Sequence, residues 1–424
     1  MSLPQQFRSS AGLSSATSLA AHVQALAEIG PRPDGSDADA RAVAYVKGSL
    51  EELGLKVAEF PIEVPVVVGG HADLKLLAPI GRPFDVCPNL RSGLTPREGL
   101  EGPLVYAGKG FESDLRSLEL SGAVALIHEL VPNESEVAGE IGWHLQKIHR
   151  LRELGAAAVV FATRRDDNEI TTWGLYGLDE QIDNVPSVGI GYRDFEYIRE
   201  LATSSARVRL VARGKVEHRS VPVLEALLPG REDGEEVLFI GGHHETVPTC
   251  PGANDNASGI AILLEAARLL LASSHRRSIR LMVTCGEESG CWGVKRYLSA
   301  KQKQLQQRLK AVINVDQVAG PDVRLVGHGT PWLNHLIAQT AESAGFRLRT
   351  TAEEPRVASI LGDAEPFWQA GFSSAMLAGW WSDPAYHTRR DTASLVNPNY
   401  LKIWCDLLTE SLRRLAEQPL PEGA

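Results

Sequence analysis

Six residues of types that bind divalent metals or move protons sit just after short apolar runs, or beside them, in the second half of the chain. They are His243 in Gly-Gly-His-His-Glu, Asp255 in Pro-Gly-Ala-Asn-Asp-Asn, Glu287 and Glu288 in Gly-Glu-Glu-Ser-Gly, Asp316 in Asn-Val-Asp, and His387 in Tyr-His-Thr. Histidine and carboxylate ligands gathered in one place suit zinc, which takes nitrogen and oxygen donors at about 2.0–2.2 Å. Two metals about 3.5–4 Å apart need one ligand that reaches both, and a carboxylate can bridge; such a pair serves hydrolysis by polarising a carbonyl and making hydroxide near neutral pH. Adjacent glutamates can divide the work, one binding metal while its neighbour accepts the water proton and later protonates the leaving amine. Taken singly, each residue also has a plainer reading. Asp255 could cap a helix, Glu287 and Glu288 could open the next one, Asp316 could be a turn residue, and either histidine could be a hydrogen-bonded structural one.

The elements that must position these residues follow from the apolar pattern. After Val216 strands and helices alternate. Val237 to Gly241 reads as a strand buried on both faces and Gly259 to Leu271 as a buried helix. Ile279 to Cys285, Ala311 to Val315, Val323 to Val326 and Ser374 to Ala378 read as further strands. This alternation predicts an α/β domain with a mixed, mainly parallel sheet flanked by helices. In such sheets ligands bind beyond the carboxyl ends of the strands, where the six residues fall. Ser36 to Leu53 reads as an amphipathic helix capped by Ser36, followed by a strand from Val57 through Val68. From about Pro79 proline and glycine become frequent. Strands at Ala123 to Ile127 and Ala157 to Phe161 flank a helix over Ile141 to Leu154. The expected organisation is one discontinuous domain of residues 1–60 and 216–424, with residues 61–215 inserted as a smaller domain.

The order His243, Asp255, Glu287-Glu288, Asp316, Tyr386-His387-Thr388, together with Pro-Gly-Ala-Asn-Asp-Asn-Ala-Ser-Gly at 251–259, resembles the co-catalytic zinc peptidase family. That family includes bacterial double-zinc aminopeptidases, glutamate carboxypeptidase II and the non-catalytic transferrin receptor. The resemblance implies the zinc exopeptidase fold and two Zn2+ per chain. One ion would be held by His243 and Asp316 and the other by Glu288 and His387, with Asp255 bridging, Glu287 as general base and Tyr386 as a phenol steadying the oxyanion. It also implies a cis peptide bond between Asp255 and Asn256. One position departs from the pattern. The family has aspartate two residues after the first histidine, where it orients the imidazole; here it is Glu245, which puts metal affinity in question. His244 is read as a bystander, and His328 as a pocket or structural residue. The runs at 121–127, 155–161 and 185–191 resemble a protease-associated domain, which in relatives lies as a lid over the cleft.

Composition narrows the rest. Lys and Arg number 43 against 53 Asp and Glu, a net charge of −10, which disfavours sequence-independent nucleic-acid binding. No run of about 18 apolar residues predicts a membrane span. The start of the chain does not read as a signal peptide, which favours a cytoplasmic setting. The five cysteines contain no Cys-x-x-Cys pair, against a disulfide scaffold. The expected activity is hydrolysis of the N-terminal bond of peptides. A carboxypeptidase, a non-catalytic receptor-like member and a glutaminyl-cyclase-like acyl transferase are the alternatives. Arg389 and Arg390 are the candidate carboxylate clamp for the first of these. Trp292, Phe367, Trp380 and Trp381 are candidate walls of a side-chain pocket. Oligomeric state and preferred substrate are not legible in the sequence.

Overall fold

The computed structural model describes residues 13–128, 144–163, 165, 167–174, 185–202, 206–326, 329–350, 362–379 and 383–421. Helices α1 (Ala16–Glu28) and α2 (Asp37–Glu52) open it. The Ser36 hydroxyl caps α2 by accepting from Asp39 N at 3.0 Å, and Ala42, Val46 and Leu50 line its buried face. The following strand β1 (Val57–Ala78) runs well past Val68. It is long because it pairs antiparallel with an equally long strand near residue 220 described below, through a register break between Val68 and His71.

The middle of the chain contains β2 (Arg82–Phe84), β3 (Val86–Pro88), β4 (Leu100–Tyr106), the short helix α3 (Glu112–Leu115), β5 (Val124–His128), α4 (His144–Glu153), β6 (Ala158–Ala162), β7 (Ser187–Ile190) and α5 (Tyr192–Leu201). Strands β4, β5, β6 and β7 are mutually parallel, and β3 closes their edge antiparallel. Alternate residues of β5 and β6 enter opposite cores. Val124, Leu126, Ala158 and Val160 pack with Phe195 and Ile198 of α5, whereas Ala125, Ile127, Val159 and Phe161 pack with Ile148 and Leu151 of α4.

Strand β8 (Arg207–Leu228) is the partner of β1 and joins the two parts of the sheet. Its start pairs with β4 and its end with a later strand. Then come β9 (Glu236–His243), α6 (Ser258–Leu271), β10 (Ser278–Thr284), α7 (Trp292–Arg308), β11 (Leu309–Asp316), β12 (Arg324–Leu325), α8 (Pro331–Ser343), β13 (Arg349–Thr350), α9 (Glu365–Gln369), β14 (Ser374–Ala378) and α10 (Pro398–Glu417). Around β9, strands β10 and β11 are parallel, and β14 is parallel to β11. Only β12 against β14 and β10 against β8 run antiparallel here, so the sheet is mixed and mainly parallel. Val237 and Phe239 face a core made with α1, α2, α6 and α10, whereas Leu238 and Ile240 face α7 and Phe367. Burial on both faces explains why these strands are apolar throughout rather than alternating. Among the described residues no helix is long and apolar enough to cross a membrane.

Candidate metal centre

Three parallel strands end side by side. β9 ends on His243, β10 ends three residues before Glu287, and β11 ends on Asp316. Residues 253–257 form a π-helical turn ahead of α6, in which Asp255 has φ −111° and ψ 90°. Asp255 therefore caps no helix, and Glu287 and Glu288 open none, since α7 begins at Trp292. The Asp255–Asn256 peptide is cis. The flanking asparagines explain the motif. Asn256 Nδ2 donates to Val315 O at 3.1 Å and its Oδ1 accepts from Gly259 N, while Asn254 Oδ1 accepts from Ala319 N. Together they tie the Asp255 loop to the end of β11.

These loops bring His243, Asp255, Glu287, Glu288, Asp316 and His387 together, all buried. Asp255 presents one oxygen to each histidine. Oδ1 lies 3.2 Å from His243 Nε2 and Oδ2 lies 3.3 Å from His387 Nε2. Glu288 Oε2 is 3.1 Å from His387 Nε2, and Asp316 Oδ1 is 3.9 Å from His243 Nε2. Donors bonded at about 2.0–2.1 Å to one tetrahedral ion stand about 3.3 Å apart, so the spacings from Asp255 and Glu288 to the histidines fit zinc, and that of Asp316 from His243 is wider. His243 Nε2, Asp255 Oδ2, Glu288 Oε1 and Asp316 Oδ1 are buried without a hydrogen-bond partner, which is costly unless a cation takes them. Within 4.8 Å of one another, donor atoms group as His243, Asp255 and Glu288, and as His243, Glu287 and Asp316.

The charges agree with a site built for cations. Burial drives the Glu287 carboxyl well above the ordinary carboxylate range, opposed by His243 and reinforced by Asp316 and Glu288. Burial also lifts Asp316, with Asp255 adding to it. The histidines move the other way. Burial disfavours their charge, yet Glu288 and Asp255 hold His387 up at about 10, and Glu245 and Asp255 hold His243 well above 6.5. Asp255 stays low despite burial because both histidine rings stand against its carboxylate, at 3.2 and 3.3 Å. Protons on the rings thus stand in for metal charge, and metal must displace them.

Glu245 does not orient His243 through its carboxylate. His243 Nδ1 bonds to the Glu245 backbone oxygen at 3.0 Å. The Glu245 Oε1 instead accepts from Glu287 N at 2.6 Å and Glu288 N at 3.3 Å. The longer side chain reaches past the imidazole to hold the next loop. His244 is more than a bystander, since its buried ring bridges Asp39 Oδ1 of α2 at 2.5 Å and Pro222 O of β8 at 2.9 Å.

Tyr386 is half-buried with its ring against His387, centroids 3.9 Å apart. Phe367 is fully buried in the core, not a pocket wall. Trp292 packs in the same cluster beneath Gly286, and one edge lines a separate cavity of about 370 Å3 that includes none of the six acids and histidines. Trp380, Trp381 and His328 lie outside the described residues. Arg389 Nε pairs with Glu169 at 2.8 Å and Arg390 Nη1 with Asp167 at 2.7 Å. The five cysteines are free.

Several supporting residues gave no signal in the sequence. Arg32, fully buried, donates to His244 O at 2.7 Å and Gly252 O at 3.0 Å. Asp391 accepts from Asn254 N at 2.7 Å and Asp255 N at 3.0 Å. Asp363, buried and pushed up to about 7 by desolvation, accepts from Thr284 at the end of β10. Trp173, from the middle of the chain, sets its ring against His387 with centroids 4.7 Å apart. Only Asp391 lies next to residues already singled out, directly after Arg390.

Residues 224–412 match peptidase family M28, and residues 100–198 match the PA domain. The chain is 26% identical over 405 residues to the aminopeptidase YwaD of Bacillus subtilis, covering 91% of this chain and 81% of that one. It is 25% identical over 310 residues to carboxypeptidase Q of Xenopus laevis, covering 70% and 62%. The solved zinc aminopeptidase of Bacillus subtilis superposes with a TM-score of 0.76 at 23% identity, covering 96% of each chain. The peptidase M28 precursor of Shewanella amazonensis gives the same TM-score, covering 96% of this chain and 98% of that one. Residues 224–412 are thus similar to peptidase family M28, and the PA-domain match lies ahead of them in the chain.

Proposed function

We propose that the protein is a two-zinc aminopeptidase. Residues 1–60 and 216–424 form the peptidase unit and residues 61–215 the insertion. The observation that carries this reading is the bridging posture of Asp255, with one oxygen toward His243 and the other toward His387. In this reading His243 and Asp316 would hold one ion and Glu288 and His387 the other, with Asp255 available to both. Bound there, zinc supplies a polarised carbonyl and a water acidic enough to ionise near neutral pH.

Glu287 is the base. Its carboxylate takes the proton of the attacking water and returns it to the departing amine. Tyr386, beside His387, offers its phenol to the oxyanion. The carboxylates of the centre attract the substrate's terminal amine, and charge-assisted hydrogen bonds strengthen that attraction. Arg389 and Arg390 are each engaged by an acid of the insertion, so neither is a ready clamp for a C-terminal carboxylate.

The test compares a leucyl anilide with its N-acetylated form and with peptides blocked only at the carboxyl end. Cleavage should require the free amine. Rapid cleavage of the N-acetylated substrate with strict need for a free carboxyl end would make the protein a carboxypeptidase, the activity named for one of its relatives.

A further inference from the structure

We propose that residues 172–174 of the insertion are a fixed wall of the metal centre that positions His387, so that retention of the ion bound by His387 depends on the insertion. The inference rests on the ligand assignment above. Three contacts carry it. The Trp173 ring meets the His387 ring at 62° with centroids 4.7 Å apart, and meets the Tyr386 ring at 5.5 Å and 87°. The neighbouring Thr172 is buried, and its backbone N–H donates to the His387 carbonyl at 3.4 Å. Gly174 lies so close to the ligand loop after β10 that a Cβ on it would stand 1.3 Å from the Glu288 carbonyl oxygen. One short segment of the insertion therefore touches two ligand-bearing loops at once.

His387 needs such support. It holds φ +55°, a left-handed conformation that non-glycine residues adopt only when their surroundings impose it. Its carbonyl accepts from Thr249 Oγ1 at 3.0 Å as well as from Thr172 N, and the two threonine hydroxyls share a 2.6 Å hydrogen bond. The peptidase unit and the insertion thus grip the same carbonyl, while the Trp173 ring packs edge-on against the imidazole. The Trp173 backbone is itself anchored, with its main-chain N–H donating to Asn89 Oδ1 at 3.0 Å and its carbonyl accepting from Leu90 N at 2.9 Å. The outer pairs Glu169–Arg389 and Asp167–Arg390 are partly exposed and add little hold of their own. Partners that orient a metal-bound histidine are worth 10–100-fold in metal affinity, and the same range is expected here.

The experiment titrates zinc into the metal-free full chain against a chromogenic chelator and records the cobalt absorption spectrum. Wild type is compared with Trp173→Ala, Trp173→Phe, Gly174→Ala and His387→Ala. Trp173→Ala and Gly174→Ala should each weaken one of two metal equivalents by about 10–100-fold, leave the other unchanged and alter the cobalt band. Trp173→Phe, which keeps a ring against the imidazole, should restore most of the loss. If Trp173→Ala fails to fold, Gly174→Ala decides, because it moves the segment while leaving Trp173 in the chain. Wild-type affinity and spectrum in Trp173→Ala or Gly174→Ala, with His387→Ala losing one equivalent, would overturn the inference alone. Two undiminished equivalents in His387→Ala would overturn the ligand assignment and the inference with it.

Discussion

Glu245 offers a separable test of how the centre is held. Its side chain is fully buried, and one carboxylate oxygen takes the backbone N–H groups of Glu287 and Glu288. Glu245→Ala removes the acceptor and strands both donors in the interior. A buried donor left unsatisfied costs about 1–3 kcal/mol, so the pair costs roughly 2–6 kcal/mol, less what water entering the space recovers. Glu245→Gln keeps an oxygen at nearly the same reach and should retain most of that stability. Glu245→Asp draws the carboxylate back by one methylene, away from the two N–H groups and toward His243 Nδ1, now 3.8 Å distant; it should fall between the other two. Because the residues so held are the proposed base and a proposed ligand, metal affinity should drop about 10–100-fold in Glu245→Ala. Urea unfolding of the metal-free proteins reads the first effect and zinc competition the second. An Ala variant with the wild-type unfolding midpoint and metal affinity would refute the assignment of the Glu287–Glu288 loop to this carboxylate.

Glu287→Gln should keep both metals and lose turnover by about 10²–10⁴-fold, whereas Asp255→Ala should lose metal; elemental analysis beside a rate assay separates the two. Chelation should abolish hydrolysis, and zinc or cobalt should restore it. Zinc uptake should tighten as pH rises from 6 to 8, because both histidines carry raised pKa values in the metal-free centre and must lose their protons to bind. The same shift stabilises the metal-free fold with the opposite sign. His387, raised from 6.5 to about 10, contributes fully below pH 6.5 and loses its contribution as pH rises toward 10, so the metal-free melting temperature should fall over that window and less so in His387→Ala. With residues 172–174 packed against the centre, short or flexible chain ends should be cleaved far faster than folded protein substrates; equal rates would argue against any restriction by the proposed insertion.

The sheet was legible where strands are buried on both faces. Residues 374–378 form a strand with the expected bounds, and β9, β10 and β11 differ from expectation by a residue or two at their ends. β1 was not legible past Val68. Gly69, Gly70 and His71 interrupt the β-branched run, and only the facing strand β8, with its register break between Val68 and His71, carries the pairing on to Ala78. A ladder joining residues 57–78 to 207–228 is a non-local fact that no window of one strand contains.

The candidate site divides along a similar line. Its acids and histidines were legible because all but His387 sit at a strand end or in a glycine- or asparagine-containing loop just beyond one, and their residue types state the chemistry. The residues that hold them were not, because their types state nothing until the chain has folded. Arg32 lies between two prolines with no periodicity around it, yet its guanidinium spans the His244 and Gly252 carbonyls on either side of the first ligand loop. Asp391 drew no reading from the sequence, yet it receives two backbone N–H groups of the Asp255 loop. Glu245 was legible as a departure, but the contacts of its side chain were not. A longer side chain in place of aspartate suggests the same contact from a shifted backbone, whereas here the backbone carbonyl serves the imidazole and the freed carboxylate serves the next strand's loop. A buried carboxylate moves to whichever donors would otherwise go unpaired, and the Glu287 and Glu288 amides, turned inward so that their side chains reach the centre, were the donors in need.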